Sequence, residues 1–517
     1  MSAETRSLWE NTAPALEFPK LREDIDADVA IVGGGITGIT AALYLSRAGK
    51  SVVVLEGRTL GLGTTGYSTG NLYATVDGQL ARLRDTYGLE TATRVAQSRA
   101  ATIEVIERTV ADLKIACGFI RCPQYLIATE SAQLAALQAE LEVAREVGLS
   151  VSSLDTVPLP IPAIGAIKID NQAQFHPLLY IQGVAQAVAS ENCRIFENTR
   201  ITARDGKLLT TAHGTVRAEK IVLATHTPIG FHILQTELSP NREYGIAARL
   251  RPDFSFPAGI FWTLDEPGYS VRRVEVEGTT YLVVIGEKHK TGQQDEDTDY
   301  YQRVEAFARA HFPVEAIAHR WSAQHYRSAD ALPYIGRSGE FAYLATGFGT
   351  NGLVYGPLAA ALITDDILER ENPWSDLYNA RRFAPVRSAS AFLQENVNVA
   401  QQYLRDYLLR ADVEQLENIG PDEGALTEIN GKKYAVSRDA EGKWSVLSPV
   451  CTHLGCLVHW NQLEKTWDCP CHGSRFDCQG EVLEGPALAR LEKNELIEPN
   501  ELIEPYEESL SGGEVIA

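Results

Sequence analysis

The segment Cys451–Ser474 restricts what this chain can become more than any other. It opens with Cys451-Thr452-His453-Leu454-Gly455-Cys456 and closes with Cys469-Pro470-Cys471-His472-Gly473-Ser474, with fifteen residues between His453 and Cys469. Each half offers a thiolate and an imidazole, as C-x-H and then as C-x2-H. Two hairpin-like loops brought together would supply two cysteines to one iron of a [2Fe-2S] cluster and two histidines to the other. Cys456 and Cys471 sit at matching places in the two loops, where a disulfide could strap them together. Closing a loop of that length is worth about 3 kcal/mol in the chain-entropy treatment. The same four ligands would also make a zinc site. Zinc accounts for neither the spare cysteine pair nor the His-Gly-Ser that ends the segment.

At 517 residues the chain is long enough for several cores. Its net charge of -21 argues against nucleic acid and anionic membrane surfaces, partners that call for basic patches. The N-terminal stretch MSAETRSLWENTAPALEF has no basic region followed by an apolar run and no twin arginine. No apolar run approaches the roughly 18 residues of a membrane span, so a cytoplasmic protein without a span is expected. Five of the eight cysteines lie between 451 and 478, and Cys117, Cys122 and Cys193 read as small core residues. A disulfide in a chain without an export signal runs against the usual redox rule, so any bond between Cys456 and Cys471 has to be shielded beside the cluster.

A second strong signal lies at the other end. Val29-Ala30-Ile31-Val32 predicts a buried strand, Gly33-Gly34-Gly35-Ile36-Thr37-Gly38 the G-x-G-x-x-G turn, Ile39–Ala48 a helix ended by Gly49, and Ser51–Leu55 the next strand. Glu56 follows, 18 residues after Gly38. Gly33, Gly35 and Gly38 let backbone approach a pyrophosphate at a helix N-terminus, and Glu56 can take a ribose hydroxyl. Arg58 and the Gly61–Gly70 loop, with Thr64 and Thr65, come directly after the acid. This arrangement resembles the amino-acid oxidase branch of FAD enzymes, in which such a loop runs along the pyrophosphate towards the flavin.

Residues 75 to about 155 predict helices without chemistry. A helix to Ala189 follows Gln172–Pro177, with His176 placed either to face the flavin or to be a hydrogen-bonded core histidine. Arg194–Ala203 and Lys220–Thr225 predict strands returning to the nucleotide sheet. From 240 to 325 the alternating aromatic pattern predicts an antiparallel sheet against which a substrate would lie. There Arg272, or its neighbour Arg273, can fork onto a carboxylate or stay an exposed strand arginine. Asp330–Gly336 and Tyr343–Gly352 predict a strand and glycine-rich turn opening the helix Leu353–Leu368, whose N-terminus would stabilise charge on a reduced flavin. Ser388–Leu409 predicts an amphipathic linker helix. Strand-like residues 411 to 505 flank the cluster loops, with Gly485-Pro486-Ala487 as a third loop. The NELIEP duplication and an acidic tail end the chain.

Taken together, residues 26 to 505 resemble bacterial FAD-dependent oxidoreductases of the D-amino-acid/glycine oxidase superfamily that carry a C-terminal Rieske domain. The matching motifs are GGGITG at 33–38, GTTGYSTGNL at 63–72, DALPYIG at 330–336, ATGFGTNG at 345–352, CTHLGC, and WDCPCHGSRFD at 467–477. The resemblance implies an α/β (α+β) chain: an N-terminal extension (1–25), a flavin unit (26–387), a linker (388–410), a small all-β Rieske module (411–505) and a tail (506–517). Within the flavin unit the nucleotide-binding parts are about 26–75, 190–230 and 326–370, with an antiparallel substrate domain interleaved. FAD contacts would come from Gly33, Gly35, Gly38, Glu56, Arg58, Thr64, Thr65, Thr225, Asp330, Gly347, Gly349, Asn351 and Gly352. His226 stands where such flavoproteins carry glycine in Ala-Thr-Gly. Arg272 and His176 are the catalytic candidates.

The resemblance also implies that Cys451, His453, Cys469 and His472 ligate the cluster, that Cys456 pairs with Cys471, and that the Ser474 hydroxyl bonds a cluster sulfur. Phe476 replaces a tyrosine often found there, which implies a potential in the lower or middle part of the range of roughly -150 to +300 mV. The expected activity is a dehydrogenase. A C–H beside an amine, or beside an alcohol, gives hydride to flavin. Electrons then pass singly to the cluster, and its exposed histidine edge hands them to an external protein or quinone. The alternative is an electron-transfer or redox-sensing adaptor without amine turnover. A Rieske oxygenase lacks support, because no 2-His-1-carboxylate set is found.

Overall fold

In the computed structural model, described for residues 5–295, 298–382, 396–402, 416–429 and 431–494, the strand Ile25–Val32 lies inside a sheet. Parallel neighbours Thr215–Leu223 and Val52–Leu55 cover its two edges. Val29 and Ile31 enter one apolar layer while Ala30 and Val32 enter another. Burial on both faces is why this strand is a continuous apolar run. The main order is Tyr334–Arg337, Ala342–Thr346, Thr215–Leu223, Ile25–Val32, Val52–Leu55, Cys193–Phe196. All neighbours are parallel except the Tyr334–Arg337 edge. Helices Ile36–Arg47 and Gly352–Ile367 cross at Gly356, where an added Cβ would stand 2.7 Å from the Ile36 side chain.

The second sheet runs Val314–Ser328, Leu238–Leu250, Thr279–Lys290, Ser270–Val276, Ile260–Thr263, Ile120–Ala128, Gly165–Gln174, Asn71–Leu72, with Val151–Leu154 beside Gly165–Gln174. It is antiparallel apart from the pair Ile260–Thr263 and Ile120–Ala128. Ile120–Ala128 corrects the helical reading of 75–155, which holds for Leu80–Tyr87, Leu89–Leu113 and Leu134–Glu146. Pro123 disguises the strand. It is tolerated because the register to Gly165–Gln174 shifts between Cys122 and Gln124, so no ladder bond is lost. A helix, Tyr300–His311, interrupts the predicted all-strand stretch and packs over this sheet.

The N-terminal extension is not a loose appendage. Leu8 and Trp9 of the helix Leu8–Thr12 are fully buried, and Trp9 Nε1 donates to Ser68 O at 2.7 Å. The C-terminal module consists of a three-stranded sheet (Glu423–Ile429, Lys432–Arg438, Trp444–Leu447) and a four-stranded one (His459–Asn461, Thr466–Asp468, Arg475–Asp477, Val482–Glu484). Of the predicted linker helix, residues 396–402 are helical. The rest of it, the duplication beyond Asn494 and the acidic tail lie outside the described residues. Among the described residues no helix is long and apolar enough to cross a membrane.

Candidate active site and cluster loops

A cavity of about 440 Å³ opens where the two large sheets meet. Its nucleotide end is made of backbone. An added Cβ at Gly38 would lie 1.9 Å from Gly33 O, and one at Gly33 (φ +108°) would lie 2.4 Å from Ala224 O. Gly35 caps the helix Ile36–Arg47 without a side chain, which leaves the helix N-terminus open to the cavity. This bare cradle fits a pyrophosphate. Glu56 accepts Gly34 N and Arg58 N, each at 2.7 Å, and borders the same space. Gly33, Gly35, Glu56, Arg58, Thr64, Thr65, Thr225, Gly349 and Gly352 all line it. His226, in the glycine place, adopts φ +69°, the left-handed region in which glycine is at ease. Its Nδ1 pairs with Thr64 Oγ1 at 3.2 Å, and its ring meets the Tyr326 ring edge-on at 4.8 Å.

Other predicted contacts fall outside the cavity. Gly38 serves helix-to-strand packing. Asp330 is held by Arg382 through two bonds of 2.8 and 2.9 Å. Asn351 bridges Arg99 (3.1 Å) and Asp77 (3.0 Å), and Gly347 packs on Ser328 and Leu238. Neither of the two catalytic candidates lines this cavity, and His176 takes the core-histidine alternative. Arg272 is buried beside Trp9, with Nη1 donating to Thr69 O at 2.7 Å; it fastens the flavin loop and does not line this cavity. Arg273 turns outward to Phe256 O and Glu275. His176 caps the helix Pro177–Val188, its Nδ1 accepting Leu179 N at 3.2 Å and its Nε2 pairing with Thr12 at 3.0 Å. The cavity wall is formed instead by Tyr73, Asp77, Glu243, Trp262, His325 and Arg327, which sequence reasoning missed. The signal for Glu243 was an acid in a mostly apolar strand; Asp77 came just after the flavin loop.

Cys451, His453, Cys469 and His472 converge in the C-terminal module. Both cysteines are buried, and the two imidazole centroids are 5.0 Å apart. Burial lowers both histidines to about 4, so both are neutral. Among the described residues, Nδ1 of each is buried without a partner. For His453 the tautomer follows from its neighbours. Gln235 Nε2 donates to Pro228 O and Gly230 O (2.8 and 2.6 Å), so its Oε1 faces His232 N and His453 Nε2, both at 3.0 Å. The His453 proton therefore sits on Nε2 and the Nδ1 lone pair is free for a metal. Two such nitrogens and two thiols suit a mixed-ligand [2Fe-2S] cluster. Sγ of Cys456 and Cys471 stand at bonding distance, 2.20 Å, beside these ligands.

Residues 28–366 match the DAO family, FAD-dependent oxidoreductases, and residues 410–495 match the Rieske [2Fe-2S] domain. The chain belongs to the DAO family and carries a Rieske domain. FAD and a Rieske [2Fe-2S] cluster are its cofactors. It is 31% identical over 497 residues to YhfW of Bacillus subtilis (strain 168), whose name places it among Rieske 2Fe-2S iron-sulfur proteins, covering 94% of this chain and 97% of that one. It is 25% identical over 371 residues to gamma-glutamylputrescine oxidoreductase of Escherichia coli (strain K12), covering 67% and 85%. The fold is that of glycine oxidase from Geobacillus kaustophilus, with a TM-score of 0.57 at 22% identity, covering 69% of this chain and 100% of the other.

The Rieske module is docked against the DAO part. Tyr326, a cavity residue, donates to Gly485 O at 3.1 Å and approaches His472 O at 3.3 Å; Gln324 Nε2 donates to Gly473 O at 2.8 Å. Gly473 (φ +76°) permits this contact, because a Cβ there would lie 2.7 Å from Pro240 Cβ. Buried Arg242 of the DAO part reaches Glu464 (3.4 Å) and Glu484 (3.9 Å) of the Rieske module, and Arg475 binds Asp468 and Glu484 at 3.0 Å each. Glu484, Gly485 and Ala487 close one side of the flavin cavity, so Gly485-Pro486-Ala487 serves both sites. The exposed histidine edge expected from sequence is not free at His453. Its Nε2 is spent on Gln235 within the same chain.

Proposed function

We propose that this protein is a dehydrogenase that oxidises an amine or amino-acid-like substrate and delivers the electrons singly to an external protein or quinone acceptor. Gly33, Gly35, Glu56, Arg58, Thr64, Thr65, Thr225, Gly349 and Gly352 would hold FAD. Cys451, His453, Cys469 and His472 would hold the cluster, strapped by a Cys456–Cys471 disulfide. Bound FAD accepts a hydride, a pair of electrons, whereas a bound cluster carries one electron. The observation that carries this reading is the Tyr326–Gln324 contact, in which two cavity residues hydrogen-bond the backbone of the second cluster loop, Gln324 at Gly473 O and Tyr326 at His472 O. A flavin oxidase that discharges to oxygen needs no such connection.

The remaining roles fall to side chains around the cavity. Tyr73 and Trp262, edge to face at 4.6 Å, wall the substrate end against water. The N-terminus of Gly352–Ile367 offers its positive end to negative charge developing nearby. Tyr326 and Gln324 fix the second cluster loop, and Gln235 fixes the His453 tautomer.

The test is anaerobic mixing of the holoenzyme with a panel of primary amines, secondary amines and amino acids, followed by absorption and EPR. Flavin bleaching accompanied by the EPR signal of a reduced Rieske cluster is expected. Bleaching with the cluster left oxidised would overturn the coupling, and no bleaching by any C–N substrate would favour the adaptor reading.

A further inference from the structure

One carboxylate in the cavity is left unused by the rest of the fold. Glu243 lies on Leu238–Leu250 between Arg242 and Tyr244, whose side chains turn away to Glu464 and to His289. Glu243 instead borders the cavity beside Asp77, His325 and Arg327. The pairing is irregular at this point: Arg242 faces His289 and Tyr244 faces Gly286, so Glu287 and Lys288 together oppose Glu243. A bulge of this kind re-aims side chains and is common beside active sites. Among the described residues no donor hydrogen-bonds the Glu243 carboxylate.

The neighbouring acid is in the opposite condition. Asp77 accepts from Arg327 at 3.0 Å, Thr350 at 3.1 Å and Asn351 at 3.0 Å. Nη2 of Arg327 is thereby already paired. A substrate carboxylate arriving there would have to share Arg327 with Asp77 and would bring a second anion against it, which is unfavourable. A cation arriving at Glu243 displaces nothing. The charged groups facing Glu243 are Arg327 on Val314–Ser328, exposed Lys288 on Thr279–Lys290, and Asp77 after Asn71–Leu72. Burial outweighs the pull of the two cations, and together with Asp77 pushes the Glu243 carboxyl up to about 7. An entering ammonium group would relieve that burial cost.

We propose that Glu243 is the subsite for an ammonium group of the substrate, which makes the substrate class alkylamines and diamines in preference to α-amino acids. This deepens the amine-oxidising reading above and rests on it. Glu243 binds the cationic nitrogen, while Asp77, held on Arg327, opposes an α-carboxylate by like charge. Recognition is strongest when Glu243 is ionised, so affinity for a cation rises as pH increases through the Glu243 value. A carboxylate ligand has the opposite slope.

Two ions that share a tert-butyl group separate these cases without turnover, because the carbon bearing the charged group holds no hydrogen: tert-butylamine and pivalate. Calorimetric titration of the holoenzyme is expected to show tert-butylamine binding about tenfold tighter at about pH 8 than at about pH 6, the ratio for a single group titrating near 7. E243Q should weaken that binding at pH 8 by about tenfold or more and abolish the slope. Absence of tert-butylamine binding to the wild type, tighter binding of pivalate, or an unchanged E243Q would each overturn the subsite. Flavin bleaching by α-amino acids and by no simple amine would overturn the subsite while leaving C–N oxidation standing. A holoenzyme that binds tert-butylamine as described but is bleached by no C–N compound would instead overturn the function on which the subsite rests.

Discussion

Around the nucleotide fingerprint the chain presents backbone, and where the Rieske module meets the DAO part it presents side chains. At Gly33 and Gly38 the absence of a Cβ makes the shape, and the contacts lie within one strand, turn and helix or reach one adjacent strand. At the junction the shape comes from Arg242, Tyr326, Gln324 and Gln235 meeting Glu464, Glu484, Gly473 and His453, residues that lie between 147 and 242 positions apart in the chain. The first region leaves no room for added bulk at Gly33 or Gly38. The second tolerates little change in charge or hydrogen bonding. Added bulk in the first region should therefore act on FAD, whereas damage to the second should undock the module and open the side of the flavin cavity that Glu484, Gly485 and Ala487 close.

The largest effect is expected from Arg242→Ala. It leaves Glu464 and Glu484 short of a buried positive partner, a loss on the order of 3–5 kcal/mol. Limited proteolysis should then release the Rieske module while FAD stays bound; a docked module in the variant would contradict the role given to Arg242. Gly38→Ala tests the other region. Its Cβ would collide with Gly33 O, and a loss of about 3 kcal/mol in urea unfolding, with FAD content falling and the cluster EPR signal retained, is expected. Retained FAD would show that the close packing is not required.

Acidification should act on the junction through Glu484. Burial works to raise the Glu484 carboxyl, but Arg475, Arg242 and Arg58 together hold it below the ordinary range. Its contribution is therefore present above about pH 4.3, the value in an unfolded chain, and is lost as pH falls through the lower folded value. Module release on acidification, weakened in E484Q, is the expected result. An equal pH profile in E484Q would assign the effect elsewhere. The smallest effect is expected from Gln235→Ala, which removes the acceptor for His453 Nε2 and should loosen the docking by about 1 kcal/mol. The histidine signals in pulsed EPR would report whether its tautomer is disturbed.

What was legible in advance was local. GGGITG with Glu56, and CTHLGC with CPCHGS, declare themselves because the atoms that act are neighbours along the chain, and spacing there is geometry. Where a motif was read beyond that, it misled: Asp330 belongs to a recognisable stretch yet spends both oxygens on Arg382, and Asn351 holds Asp77 and Arg99. Arg272 looked available because a strand arginine alternates outward or inward with equal ease. Its burial against Trp9 depended on the N-terminal helix folding back onto the flavin loop. Ile120–Ala128 was hidden because Pro123 argues against a central strand unless a bulge receives it.

By itself the amino-acid order determined a dinucleotide turn, a four-ligand metal set and the presence of both on one polypeptide, since each is a short-range arrangement fixed by residue type and spacing. Only the tertiary structure decided that Glu243, Asp77 and Arg327 share one cavity, that Tyr326 touches both sites, and that His453 Nε2 faces Gln235. Those pairings join strands and loops from both parts of the molecule, and packing, not periodicity, sets which side chains face one another.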